Sequence, residues 1–179
     1  MRITGGSLKG RTVQCPPGEI RPAMDRMRES LFAILGSIEG ARFLDLFSGS
    51  GVVALEACSR GAVAVTAVER DHGKRRILEA NLSLCEQSVE IYTAPVERYL
   101  LRAREPFDLI FCDPPFRYRY KNDLLAKIAA SKACGTDTEV LIHHPRTEAL
   151  SEEISNLHRS RTQLYGGSQV SFYRRTQEL

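Results

Sequence analysis

Five short apolar runs, separated by stretches with helical spacing, constrain this chain more than any other feature. Arg42–Phe47, Val63–Val68, Val89–Tyr92, Phe107–Cys112 and Glu139–His143 read as strands; Val52–Ser59, Gly73–Leu84, Val96–Ala103 and Asp123–Lys132 read as the helices between them. Such alternation calls for a parallel sheet covered on both faces, because each crossover lays a helix over one side. Upstream, Met27, Leu31, Ile34, Leu35 and Ile38 repeat with helical spacing from Asp25, and Gly40 ends that run. Downstream, Thr162–Tyr165 and Val170–Arg174 flank Gly166-Gly167 and read as an antiparallel pair at one edge. The opening stretch, Arg2 to Gln14, reads as a short hairpin that Cys15-Pro-Pro-Gly18 interrupts. The expectation is an α/β fold: a doubly wound, mostly parallel, seven-stranded sheet over residues 23–179, with a small N-terminal β-hairpin in residues 1–22.

With 179 residues there is room for one domain with a sizeable core and little for a second. The 42% hydrophobic and 26% charged content is ordinary for a soluble globule, and no apolar run reaches the ~20 residues of a membrane span. The N-terminus lacks the apolar stretch of a secretory signal and is read as part of the mature protein. Five scattered cysteines without a CxxC indicate neither a zinc site nor a disulfide framework, so no metal is expected and a reducing cytoplasm suits them. The formal charge of +3 is too small to argue for nucleic acid, but its distribution is uneven. Residues 1–28 carry Arg2, Lys9, Arg11, Arg21, Arg26 and Arg28 against Glu19 and Asp25, a net +4, which leaves −1 for the rest. A basic leading segment can track phosphates; a solvated surface is the plainer alternative.

The first strand ends in Phe43-Leu-Asp-Leu-Phe-Ser-Gly-Ser-Gly51 and runs directly into a helix. Glycines at 49 and 51 allow a tight turn and close approach of a ligand, and open α/β sheets bind ligands at the carboxyl ends of their strands. Glu69, at the end of the second strand, can accept hydrogen bonds from both hydroxyls of a ribose. Gly49 to Ala54 also satisfies the weak dinucleotide pattern G-x-G-x-x-A. Against a dehydrogenase, Asp45 lies before the glycines, where it would repel a pyrophosphate but welcome a cationic amino-acid moiety. The chain is also short for a second nucleotide-binding half.

The fourth strand runs into Asp113-Pro-Pro-Phe116. An exocyclic amine on a base is a poor nucleophile, because its lone pair is delocalised into the ring. Acceptors aimed at its N–H bonds help it pyramidalise as it attacks an electrophilic methyl group. Asp113 supplies a carboxylate, and a carbonyl near Pro114 a second acceptor. Pro114 and Pro115 fix φ and remove competing donors, and Phe116 can stack on the base. Alone this motif reads as a turn; after a buried strand of the same sheet it reads as a catalytic loop. Next comes Phe116-Arg-Tyr-Arg-Tyr-Lys121. If extended, it would set Arg117, Arg119 and Lys121 on one side for phosphates and the aromatics on the other; a loop with packed tyrosines and solvated arginines is the equal alternative. His143-His144 has no partner at metal-ligand spacing and reads as structural or as part of the rim, and His72 and His158 as surface residues.

Taken in order, Arg2 to Arg11, Arg21-Pro22 with Asp25 to Phe32, Phe43 to Gly51, Glu56-Ala57 with Ser59 to Ala62, Glu69, Asn81, Asp113 to Phe116, Tyr165-Gly166 and Val170 to Tyr173 resemble the RsmD family of 16S ribosomal RNA guanine-N2 methyltransferases. The likeness spans nearly the whole chain, and the N-terminal segment is its most discriminating part. It implies a Rossmann-like class I methyltransferase fold, S-adenosylmethionine as donor, and a guanine 2-amino group in small-subunit rRNA as acceptor, within an assembled subunit. It implies that Asp45, Ser48, Gly49 and Gly51 meet the methionine and ribose side and Glu69 the ribose hydroxyls, with Phe47, Arg70, Pro95 and Val96 completing the cofactor wall. Asp113 to Phe116 would hold the base; Arg2, Lys9, Arg11, Arg21, Arg26, Arg117 and Arg119 would meet RNA; nothing demands more than a monomer. Three positions depart from the family pattern: Ala23 replaces a usual Thr, Pro95 a usual Asp that contacts the adenine amine, and His143 a commonly acidic residue. Methylation of adenine N6 or of a protein glutamine remains an alternative, as does a non-catalytic RNA-binding assembly protein.

Overall fold

The computed structural model describes residues 1–16 and 22–175. Helix α1 (Pro22–Leu35) begins on a proline, whose missing N–H costs nothing in a first turn. It ends at Leu35 because Gly36 takes a left-handed φ of 71° and donates its N–H back to the Phe32 carbonyl. The run was expected to reach Gly40; Ile38 is buried as expected, but from the loop.

Next come β1 (Arg42–Leu46), α2 (Val52–Ser59), β2 (Ala64–Glu69), a 3-10 turn (His72–Lys74), α3 (Arg75–Leu82), β3 (Ser88–Thr93), α4 (Val96–Leu100), β4 (Phe107–Cys112) and α5 (Lys121–Ala130). The chain closes with β5 (Cys134–Pro145), β6 (Glu153–Ile154), β7 (Leu157–Tyr165) and β8 (Ser168–Arg175). The sheet order is β3-β2-β1-β4-β5-β8-β7-β6. Neighbours from β3 to β5 are parallel, and β8, β7 and β6 add on antiparallel. Among the described residues the sheet therefore has eight strands rather than the expected seven. The additional one, β6, is two residues long and offers no alternation to read. The antiparallel pair around Gly166 is present, with β8 inside the sheet and β6 at its edge.

Alternate side chains of the strands feed two cores. Phe43, Val65, Ala67, Leu109, Phe111 and Leu141 pack under α1, α2 and α3; Leu44, Leu46, Val68, Ile110, Cys112, Val140 and Ile142 pack under α4 and α5. The doubly wound reading rests on this division. Chain order runs from β1 outward through β2 and β3, then returns to β4 on the other side of β1. That reversal falls between β1 and β4, and the carboxyl ends of strands at such a point are the usual ligand position in these sheets.

Among the described residues, the N-terminal stretch makes a single antiparallel bridge, Arg2 to Thr12, rather than paired strands. Ile3 and Val13, 1% and 3% exposed, share the core of Phe32 and Leu55.

Candidate active site

The loop after β1 is held by its own backbone and by two carboxylates. Phe47 carries a positive φ of 64°, a costly conformation for a bulky residue, and it turns the chain sharply out of the sheet. Ser48 donates its N–H to Val68 of the neighbouring strand, and Gly51 donates back to Ser48. The glycines play different parts. A Cβ on Gly51 would lie 2.5 Å from Leu78, so this residue lets α2 pack on α3. A Cβ on Gly49, at φ 57°, would project into open space, so nothing in the described protein covers this backbone.

Asp45 is buried beneath the loop, where Oδ2 accepts from the Ser48 hydroxyl at 2.7 Å and the Ala54 N–H at 3.1 Å. Burial pushes its pKa up to about 7; the Ser48 and Ala54 donors oppose this, and the negative charges of Asp113 and Glu69 add to it. Glu69 accepts from the Gly49 N–H at 2.9 Å and the Asp71 N–H at 2.8 Å, which ties the glycine loop to the tip of β2. A carboxylate has about four acceptor positions, so Glu69 keeps capacity for a ligand hydroxyl. Arg70 is exposed. Exposed Pro95 gives its carbonyl to the first turn of α4, and Val96 is buried.

Asp113 donates its backbone N–H to the Leu46 carbonyl at 3.2 Å, and its carboxylate is half-exposed. The glycine loop and the Asp113-Pro-Pro-Phe116 loop thus leave adjacent strands and are stitched together at their bases. Pro114 is buried, Pro115 exposed, and Phe116 is 44% exposed. Tyr118 donates to the Pro115 carbonyl, so the segment turns rather than running extended. Arg117 and Arg119 are exposed, but Lys121 is not. Buried at 1%, it donates to the carbonyls of Phe116 and Tyr118 and pairs with Glu148 at 2.7 Å. Alternation would have set Lys121 beside the two arginines; the turn swings it inward as a pin beneath the loop.

The aromatics gather here too. Phe47 and Tyr118 meet edge to face at 5.5 Å, and Tyr118 and Tyr120 at 6.0 Å. His143 and His144 part company. His144 is fully buried, hydrogen-bonded to Ser171, and held neutral because burial lowers its pKa. His143 reaches the site, with Nδ1 2.8 Å from Asp113 Oδ1. Sequence spacing gave no signal for that contact, which depends on β5 lying next to β4. His72 is exposed as expected, whereas His158 is half-buried on β7 with its Nδ1 enclosed.

The basic leading segment is anchored through Glu56, whose carboxylate accepts from the Thr4 and Gly5 N–H groups, the Thr4 hydroxyl, Arg28 and Arg60. Burial opposes ionisation of Glu56, but the donors of Thr4, Arg60 and Arg28 together outweigh it and hold the pKa below the ordinary range. Arg28 is therefore an internal cation at 1% exposure, not part of the basic surface. Arg2, Lys9, Arg11 and Arg26 are exposed; Arg21 lies outside the described residues. Asn81 links the two regions, donating to the carbonyls of Gln14 and Ser50 and accepting from the Gln14 N–H.

A family model described as conserved hypothetical protein 95 matches residues 1–174. The chain belongs to this family, the RsmD family. Its RsmD-family relatives include the "Putative rRNA methyltransferase YlbH" of Bacillus subtilis, 34% identical over 98% of this chain and 99% of that protein. The "Ribosomal RNA small subunit methyltransferase D" of Escherichia coli strain K12 is 38% identical over 65% of this chain and 61% of its own length. Among solved structures, the "Putative methyltransferase yhhF" of Escherichia coli superposes with a TM-score of 0.88 at 27% identity, covering 99% of both chains. The Rossmann-like class I methyltransferase fold expected of the RsmD family is the one described above.

Proposed function

We propose that this RsmD-family methyltransferase moves a methyl group from S-adenosylmethionine to the 2-amino group of a guanine in 16S rRNA of the small ribosomal subunit. The observation that carries the reading is the Asp113–Leu46 backbone hydrogen bond, which joins the base of the Asp113 loop to the end of the strand that leads into the glycine loop. The raised pKa of Asp45 comes first from burial, and the charges of Asp113 and Glu69 add to it, so the three carboxylates share one negative field.

The residues present fit the cofactor. Open space over Gly49 admits a ligand against the backbone, and Asp45, Glu69 and Asp113 make a negative surround for a sulfonium and an ammonium group. Asp45, Phe47, Ser48, Gly49 and Gly51 would hold the methionine side, and Glu69 the ribose hydroxyls. Arg70, Pro95 and Val96 would flank the adenine. Gly51 acts through the shape of the turn, since its own N–H is taken by Ser48. S-adenosylmethionine bound there supplies an electrophilic methyl group.

The chain's own residues prepare the amine. Asp113 and the Pro114 carbonyl accept its hydrogens, drawing the lone pair out of conjugation, and Asp113 takes the proton that the methylated amine releases. Pro115 stiffens the loop, and Phe116 stacks on the base. Positioning supplies much of the acceleration in such a transfer.

Residues 1–22 act as an RNA-docking extension on the methyltransferase domain of residues 23–179. Arg2, Lys9, Arg11, Arg21, Arg26, Arg117 and Arg119 contact phosphates of an assembled small subunit, and the protein works as a cytoplasmic monomer. No helix among the described residues is long and apolar enough to cross a membrane.

The test incubates the protein with labelled S-adenosylmethionine and, separately, undermethylated small subunits, naked rRNA and DNA. Nuclease digestion and mass spectrometry then locate the label. Label on guanine N2 of small-subunit RNA is expected; label confined to DNA or protein overturns the assignment.

A further inference from the structure

Among the described residues, His143 is the buried polar group most closely tied to the reacting loop without a part in the reaction outlined above. It follows Ile142, which pairs with Cys112 of β4 immediately before Asp113. Its side chain is 7% exposed. Nδ1 lies 2.8 Å from Asp113 Oδ1, and the ring meets Phe116 edge to face, with centroids 5.3 Å apart at 67°. One side chain therefore touches both the carboxylate and the aromatic ring assigned to the substrate base.

The hydrogen on the ring can be placed by chemistry. A carboxylate only accepts, so Nδ1 must carry the hydrogen and donate to Asp113. The second nitrogen, Nε2, is enclosed and has no partner among the described residues. An unpaired buried acceptor costs free energy. Moving the hydrogen to Nε2 would leave two acceptors facing each other across 2.8 Å, so the Asp113 contact decides the tautomer. Asp113 Oδ1 is committed to the ring, while Oδ2 has no hydrogen bond to the described protein and is left for the substrate.

We infer that His143 is a positioning residue for methyl transfer: its Nδ1–H fixes the Asp113 carboxylate so that Oδ2 meets the substrate amine, and its ring backs Phe116. The inference rests on the role proposed above for Asp113. Because His143 acts through Asp113 and Phe116, its loss should change the geometry of the reacting groups and kcat. A misplacement of about 1 Å can cost on the order of 100-fold in rate.

Three variants test this with undermethylated small subunits in single- and multiple-turnover assays, alongside the melting temperature and S-adenosylmethionine affinity. His143→Phe keeps the ring and removes the donor; kcat should fall about 10- to 100-fold, with KM and cofactor Kd within about twofold. His143→Asn puts an amide N–H near the Nδ1 position and should restore kcat to within a few-fold of the parent. His143→Gln reaches one bond further, toward Nε2, and should behave like His143→Phe. Unchanged kcat in His143→Phe, or equal rates in the Asn and Gln variants, overturns the inference. If His143→Phe does not fold, the Asn and Gln pair decides alone. Should the parent protein methylate a different amine, the functional reading fails while the same comparison on that amine still judges His143. A parent protein that methylates nothing sinks both.

Discussion

Asp45 and Glu56 are both buried carboxylates, one under the crevice and one under the N-terminal segment, and they are treated in opposite ways. Glu56 collects backbone, hydroxyl and guanidinium donors until ionisation is favoured in spite of burial. For Asp45, burial outweighs the one hydroxyl and one N–H it receives, Asp113 and Glu69 add negative field, and its pKa rises to about 7. The first region is complete in the protein alone and serves architecture. The second is short of positive charge, which is the state expected of a site that receives a cationic ligand.

The largest effect should come from emptying the complete region. Glu56→Ala leaves buried Arg28 with only the partly exposed Asp25 carboxylate, strands the Thr4 and Gly5 N–H donors, and should cost about 3–5 kcal/mol in urea unfolding. A loss under about 1 kcal/mol would erase the contrast. Next, Asp113→Ala should reduce methyl transfer by roughly 10²- to 10³-fold while cofactor binding, followed calorimetrically, persists. Unchanged turnover would remove Asp113 from the chemistry.

The pH dependence of the two carboxylates should have opposite signs. Glu56, depressed in the folded state, contributes stability above the ordinary glutamate range and loses it as the solution turns acid. Asp45, raised from 3.8 to about 7, binds its proton more tightly when folded, so its contribution is lost as pH rises through that window. Asp45→Asn keeps an acceptor for Ser48 and Ala54, so it should be about 1–2 kcal/mol more stable than the parent at pH 8 and bind S-adenosylmethionine more weakly. Equal stability at pH 5 and pH 8, relative to the parent, would show that Asp45 carries no strain. The smallest effect belongs to the exposed basic surface. Arg11→Ala should reduce the slope of log affinity for rRNA against log salt by about 1, without altering the melting temperature. An unchanged slope would remove Arg11 from the docking surface.

Much of the fold was legible because burial on both faces makes the parallel strands continuous apolar runs. Val52–Ser59 and Phe107–Cys112 have the expected limits, and the remaining parallel strands overlap the expected runs. The boundaries that differ have local causes. Gly36, rather than Gly40, takes the left-handed turn that ends α1, and β6 is too short to leave a pattern. The placement of the glycine loop, Glu69 and Asp113-Pro-Pro-Phe116 at the ends of β1, β2 and β4 could be read because turn chemistry and strand ends leave marks in sequence. Lys121 and Arg28 could not. Each reads as a surface cation until the chain folds back and supplies carbonyls and a carboxylate around it.

By itself, then, the order of residues determined the layers and the strands that end in the glycine loop and the Asp113 loop, because periodicity and turn preference act over a few residues. Only the tertiary structure decided which polar groups meet. The hydrogen bond from His143 to Asp113 spans 30 positions and that from Thr4 to Glu56 spans 52. Pairings of that kind follow from the order of strands in the sheet and the docking of the N-terminal segment on α2, and the geometry and field of the site follow from them.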